Sequence, residues 1–225
     1  MNSLINIQKS LQHDHGHSDT QSNQPFSMRH CTYDESDILA LCHVCQQNLT
    51  WLPRWQGPES YQRTWWRTAL KSDGAECWAV EDNGRITGFC LLVTDEETWK
   101  LERSERVGNR LAYFRMVLAR PCLSLMTISK YLRPYIRKET GSKYPLPKYQ
   151  RRLWIELIAV SPECRGSGHA DKIMSFAIGR AKENQRDAIA LIVERHNKRG
   201  RAFFKRWGFV AANEGRRGIV MVRTI

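Results

Sequence analysis

The run Leu153–Val160, LWIELIAV, has seven apolar residues in eight and is ended at once by Ser161-Pro162. Eight residues is the length of a buried strand and short for a buried helix. The next segment is equally constrained. Ser161–Ala170 contains Gly166 and Gly168 and leads into a helical stretch from Asp171 to Asn184, with Ile173, Phe176, Ala177 and Ala181 on one face. Ala188–Val193 is a second apolar strand. Strand, glycine-containing turn, helix and strand in succession place the chain among α/β or α+β folds, with a mixed sheet covered by helices.

Upstream, Phe26–Cys31 reads as a first strand. A helix then runs to about Leu49, capped by Asp34 or Ser36, with Ile38, Leu41, Cys42 and Cys45 on one face and Leu39 also near the core. Pro53, Gly57 and Pro58 mark a loop, and Glu59 to Lys71 a second helix carrying Tyr61, Trp65 and Trp66. These tryptophans, with Trp51 and Trp55, read mainly as core. Glu76–Glu81 and Arg85–Thr94 flank Asn83-Gly84, a tight-turn dipeptide, and predict a hairpin. Gly200–Trp207 reads as a short helix and Ile219–Ile225 as a closing strand. Residues 1–25 are rich in Gln, Ser, Asn, His and Asp and read as a solvated tail, so His13, His15 and His17 suggest no metal site.

The formal net charge of +12 points to polyanionic partners: nucleic acid, an anionic membrane surface or a phosphorylated ligand. Seven cysteines scattered without framework spacing read as reduced thiols, which suggests the cytoplasm. Cys42-His43-Val44-Cys45 is a lone CxxC with no second pair, so zinc is not expected. No basic start followed by an apolar run marks a signal peptide. The most apolar region, Leu111 to Ile128, is interrupted by Arg115, Arg120 and Pro121, and no spanning segment is expected.

The turn at 161–170 carries the chemistry. A strand feeding a glycine-containing turn at a helix start directs several backbone N–H groups to one point, where the helix end adds partial positive charge. Gly166 and Gly168 let the backbone approach a bulky anion, and Arg165 adds a guanidinium suited to phosphate. No Gly-Lys-Ser/Thr comes after it, which excludes a P-loop, and the spacing is not G-x-G-x-x-G, which excludes the dinucleotide fingerprint. Val160-Ser161-Pro162 followed by Arg165-Gly166-Ser167-Gly168-His169-Ala170 resembles motif A of the GNAT acetyltransferase superfamily. Asn197, Phe203-Phe204 and Gly208-Phe209 resemble that family's downstream Asn…Leu-Tyr…Gly-Phe segment.

The resemblance implies a mostly antiparallel central sheet with splayed parallel strands, flanking helices over 26–225, and a basic helical insertion at 95–150. It implies acetyl-CoA, or another acyl-CoA, as donor and a primary amine of a small molecule or protein as acceptor, attacking directly. Strands 153–160 and 188–193 would splay around the pantetheine arm, with backbone groups of Ile158, Ala159 and Val160 exposed to it. Arg165, Gly166, Ser167, Gly168, His169 and Ala170 would hold the diphosphate. Asn197 would lie near the coenzyme, its other role being to cap the helix after it; Gly200 stands where the family has Ala. Phe204 replaces the family's usual Tyr and cannot donate a proton to a departing thiolate. For the base, strict alternation puts Trp154, Glu156, Ile158 and Val160 on one strand face and makes Glu156 the first choice, with Glu194 and His196 in reserve.

Residues 95–150 interrupt the family pattern with two basic helices split at Pro121 and a linker, Tyr144 to Pro147. They carry twelve Lys and Arg against six acids, half the chain's net charge. Three readings are open: a lid over the acceptor, a dock for an acidic partner such as an acyl carrier protein or a phosphorylated sugar, or contact with an anionic membrane or nucleic acid. Two functional alternatives stand beside acetyl transfer. One is a longer-chain acyltransferase using acyl-CoA or acyl carrier protein; the other is a catalytically weak, CoA-binding regulatory protein.

Overall fold

Asn83 and Gly84 both adopt positive φ, 50° and 73°, the conformation a two-residue hairpin turn requires. The turn folds β2 (Ala75–Asp82) against β3 (Arg85–Val93), as the sequence predicts. The computed structural model describes residues 26–49, 55, 57–106, 146, 149–215 and 218–225. The expected tail, Trp51, and the 95–150 insertion beyond Arg106, including both sides of Pro121, lie outside the described residues apart from Leu146, Tyr149 and Gln150.

β1 (Phe26–His30) pairs with β2 on the hairpin's outer side, and β4 (Arg152–Val160) with β3, all antiparallel. β5 (Ala188–Glu194) joins β4 in parallel; β7 (Gly218–Thr224) then pairs antiparallel with β5, and β6 (Val210–Glu214) with β7. The sheet order is β1-β2-β3-β4-β5-β7-β6. β6 escaped the sequence reading because it is an edge strand with four exposed residues in five and no alternation to betray it.

One face of the sheet packs against α1 (Glu35–Asn48), α2 (Glu59–Leu70) and Trp99 of α3 (Glu96–Arg106). Trp55, Trp65, Trp66 and Phe89 form the aromatic centre of that layer, with Trp66 fully buried. Cys42 and Cys45 point into it from α1. Burial pushes the Cys42 thiol up to about 12, which keeps it protonated. Leu39 does not join the core as expected; it is exposed, because the inward stripe of α1 runs through Ile38, Leu41, Cys42 and Cys45. The other face packs against α4 (His169–Glu183) and α5 (Lys198–Arg206), through Ile173, Ala177, Ala181 and Phe204. No described helix is long and apolar enough to cross a membrane.

Asp34 occupies the N-cap of α1, but its side chain takes the Thr32 hydroxyl rather than a helix amide. Asp37, one turn in, fixes α1 to β1. It accepts two bonds from the Arg29 guanidinium, at 2.6 and 2.8 Å, and one from the Thr32 N–H at 2.7 Å. The Arg29 guanidinium holds the Asp37 carboxyl below the usual range. A depressed carboxyl stabilises the fold fully above its unfolded pKa, near ~4, and loses that contribution as the pH falls further. Asp37→Ala is expected to cost about 2–3 kcal/mol in urea unfolding at neutral pH, and less below about pH 3.

Candidate active site

The pairing of β3 with β4 contains a one-residue irregularity at the centre of the molecule. Gly88↔Val160 through Leu91↔Leu157 run in step, and the next pair is Leu92↔Ile155, so Glu156 has no residue opposite it. This bulge inverts the alternation along β4. Leu153 and Ile155 before it, and Ile158 and Val160 after it, belong to the α4 layer, whereas Trp154, Leu157 and Ala159 pack towards α1 and α2. The sequence-based grouping of Trp154 with Ile158 and Val160 is therefore corrected. Strict alternation fails where a residue is inserted.

At the same level the sheet opens. β4 and β5 pair from Arg152↔Ala188 to Ile155↔Leu191 and no further, although both strands continue. The expected splay is thus present, and its apex is the bulge. Ser161 donates its N–H to the Thr87 carbonyl at 2.7 Å, towards β3. Alternation along the strand turns the backbone N–H and C=O of Val160 and Ile158 the other way, into the fork. Ala159 faces β3, so of the three expected residues it is the one whose backbone is engaged. Half-buried Glu156 stands at the apex, and Glu194, the last residue of β5, lies 3.1 Å from His196.

Above the fork, Pro162–Cys164 forms a single 3-10 turn and hands the chain to α4. Gly166 and Gly168 both have φ of 90°, a left-handed conformation that strains any other residue. Gly168 is the N-cap of α4 and has no side chain to cap it; the Lys172 N–H is the donor that returns to its carbonyl. The amides of the first turn are therefore left for an outside acceptor.

The turn is braced from several sides. Ser167 donates its hydroxyl proton to the Cys164 carbonyl at 2.7 Å and so accepts from His169 Nδ1–H, also at 2.7 Å. His169 is buried and stacks on Phe26 with ring centroids 4.0 Å apart. The side chains of Ser167 and His169 thus shape the turn, and their contribution to an anion is the backbone. Arg165 is exposed and donates to Asn48 Oδ1 at the end of α1. Asp171, an acid in the first turn where an anion would be repelled, is bound by Arg206 at 2.6 Å and Trp207 Nε1 at 2.8 Å. Sequence reasoning missed this tie; an acid in the first turn of an anion-binding helix was its signal.

Asn197 caps α5, accepting the Gly200 N–H at 2.7 Å. A Cβ on Gly200 would lie 2.7 Å from Asn197 Nδ2, so glycine here serves the cap. Gly200→Ala is expected to lower stability by about 1 kcal/mol, read as a fall in thermal midpoint. Phe204 is buried between Phe203 and Phe209 beneath the turn, part of the core rather than a proton donor.

Residues 139–209 match the Acetyltransferase (GNAT) family model, about a third of the chain, including β4, the turn, α4, β5 and all of α5. No curated protein matches at a significant level. Among solved structures, the PH1933 protein of Pyrococcus horikoshii OT3 superposes with TM-score 0.58 at 14% identity, covering 89% of this chain and 98% of its own. The PaiA N-acetyltransferase of Thermoplasma acidophilum, solved with coenzyme A, gives 0.52 at 12% identity, covering 89% and 99%. The ribosomal-protein-S18-alanine N-acetyltransferase of Escherichia coli gives 0.52 at 13% identity, covering 89% and 94%. At such identities the likeness is one of fold.

Proposed function

We propose that this chain, a GNAT acetyltransferase in its fold and in its matched segment, transfers an acetyl group from acetyl-CoA to a primary amine of a small-molecule or protein acceptor. The observation that supports this most is the alignment of two sets of backbone donors: the first-turn amides of α4 behind a glycine N-cap, and the Ile158 and Val160 groups turned into the β4–β5 fork. The residues present fit the donor. Its diphosphate suits the uncapped helix end, and its amide-bearing arm suits a strand edge with free N–H and C=O groups.

Acetyl-CoA would supply the acyl group activated as a thioester. The protein's part is to hold and orient. The amides of Gly166–Ala170 bind the diphosphate, with Arg165 and Arg206 nearby as fixed charge. An N–H in the Ile158–Val160 segment polarises the acyl carbonyl. Glu156, at the apex of the fork, is assigned as the base that takes the proton from the acceptor amine. Phe204 is buried and has no proton to donate to a departing thiolate. That feature also favours a second reading, a coenzyme-binding protein with weak turnover. The described cysteines are not in disulfides, which supports a reducing compartment such as the cytoplasm.

Thermal unfolding with acetyl-CoA, followed by free-thiol release against a panel of primary amines, tests the proposal. A raised midpoint and amine-dependent thiol release are expected. A raised midpoint without thiol release from any amine would favour the second reading, and neither effect would remove both.

A further inference from the structure

β5 is an interior strand, flanked by β4 and β7, yet Ile192 on it is 41% exposed. Among the described residues it is the one large apolar side chain exposed on an interior strand; Val210 lies on the edge strand β6, and the others lie outside the strands. Its place explains the exposure. The last β4–β5 pair is Ile155↔Leu191, so Glu156 and Ile192 are the first residues of the two strands beyond it. Alternation along β5 sends Ile189, Leu191 and Val193 into the α4 layer and puts Ile192 on the opposite face with Ala188 and Ala190. On that face Leu146 and Tyr149 cluster with the two alanines, and the cover stops where the strands part. The β7 side of Ile192 is closed. Its partner Val220 is fully buried, and Gly218 is buried too, where an added Cβ would lie 2.7 Å from Ile192 Cγ2. The exposed flank of Ile192 therefore faces the fork. Across it, Leu157 of β4 is also only partly buried.

We infer that this apolar floor selects the acceptor: the primary amine is carried at the end of an alkyl or arylalkyl chain, which lies on Ile192 and Leu157 while the nitrogen reaches Glu156. The inference rests on the acyl-transfer reading given above and names its acceptor class. An aliphatic side chain left open to water at the mouth of a site gains when an apolar group covers it, and each methylene that reaches it adds to binding. Charge points the same way. Glu194 follows Ile192 by two residues on the same face, its side chain mostly buried beside His196, so Ile192 lies between the two carboxylates Glu156 and Glu194. An acceptor with a carboxylate beside its amine brings a third negative charge into that space, and an amine on an uncharged chain does not.

The test is steady-state thiol release from acetyl-CoA by the full chain with hexylamine, ethylamine and 2-aminohexanoate, and thermal unfolding to confirm the fold of each variant. The first two amines are nearly equal in basicity and differ in chain length; the third sets a carboxylate beside the amine. For the wild-type protein kcat/KM is expected to be about tenfold higher or more with hexylamine than with ethylamine, and about a hundredfold higher than with 2-aminohexanoate. Ile192→Thr keeps a β-branched side chain on the strand and should cut the chain-length preference to less than about threefold. The change should fall on KM for hexylamine, with ethylamine turnover and acetyl-CoA affinity little altered, and Ile192→Val should keep most of the preference. Equal kcat/KM for hexylamine and ethylamine, 2-aminohexanoate as the better acceptor, or the full preference kept in Ile192→Thr would overturn the inference. Acetyl-CoA binding without thiol release from any amine would remove the acyl-transfer reading and this inference with it, a result distinct from turnover that ignores chain length.

Discussion

Gly168→Glu is expected to weaken acetyl-CoA binding by about a hundredfold or more while the protein remains folded. The substitution acts in two ways. Gly168 has φ of 90° at the N-cap of α4, so any side chain there strains the backbone by about 1–2 kcal/mol. The glutamate then sets a negative charge at the point where the first-turn amides face the diphosphate, and like charges so placed cost several kcal/mol. Gly168→Ala separates the two contributions, because it carries the strain without the charge. The two variants should lose similar stability in thermal unfolding, and the glutamate variant should lose far more affinity by calorimetry. Undiminished affinity in a folded Gly168→Glu protein would mean that the turn does not hold the coenzyme.

Glu156→Gln is expected to lower kcat by about a hundredfold or more, with the acetyl-CoA dissociation constant and the thermal midpoint little changed. The amide keeps the size and polarity of the carboxylate at the bulge and removes its ability to take a proton. The split matters, because a merely structural role for Glu156 would move stability or coenzyme affinity, whereas a base role lowers kcat alone. Turnover equal to wild type would strike Glu156 from the mechanism. It would shift attention to the Glu194–His196 pair, 3.1 Å apart at the end of β5.

Much of the fold could be read from patterns with a direct physical cause. The hairpin at Asn83-Gly84 was legible because only a few dipeptides tolerate two positive φ values in succession. The run Leu153–Val160 was legible because a strand enclosed by the sheet's two helix layers has to be apolar throughout. The turn at 165–170 was legible because its two glycines are demanded by left-handed backbone. The bulge at Glu156 was not. Nothing in LWIELIAV signals an inserted residue, since both faces of β4 are covered and every neighbour is apolar. The Asp171–Arg206–Trp207 tie was hidden for a different reason. It joins residues 35 and 36 positions apart across two helices, and such pairings follow from packing rather than from local pattern. β6 was missed because edge exposure erased its alternation.

Trp55, Trp65, Trp66 and Trp99 stack edge to face in one aromatic layer on the α1–α2 side of the sheet, part of the core.

A structure determined with acetyl-CoA measures most directly whether the helix start and the strand fork act as one site. The expected result has diphosphate oxygens within hydrogen-bonding distance of the amides of Gly166–Ala170. It also has the arm between β4 and β5 and the acyl carbonyl on an N–H of the Ile158–Val160 segment. A coenzyme bound elsewhere on the protein, with the fork closed by protein side chains, would contradict it.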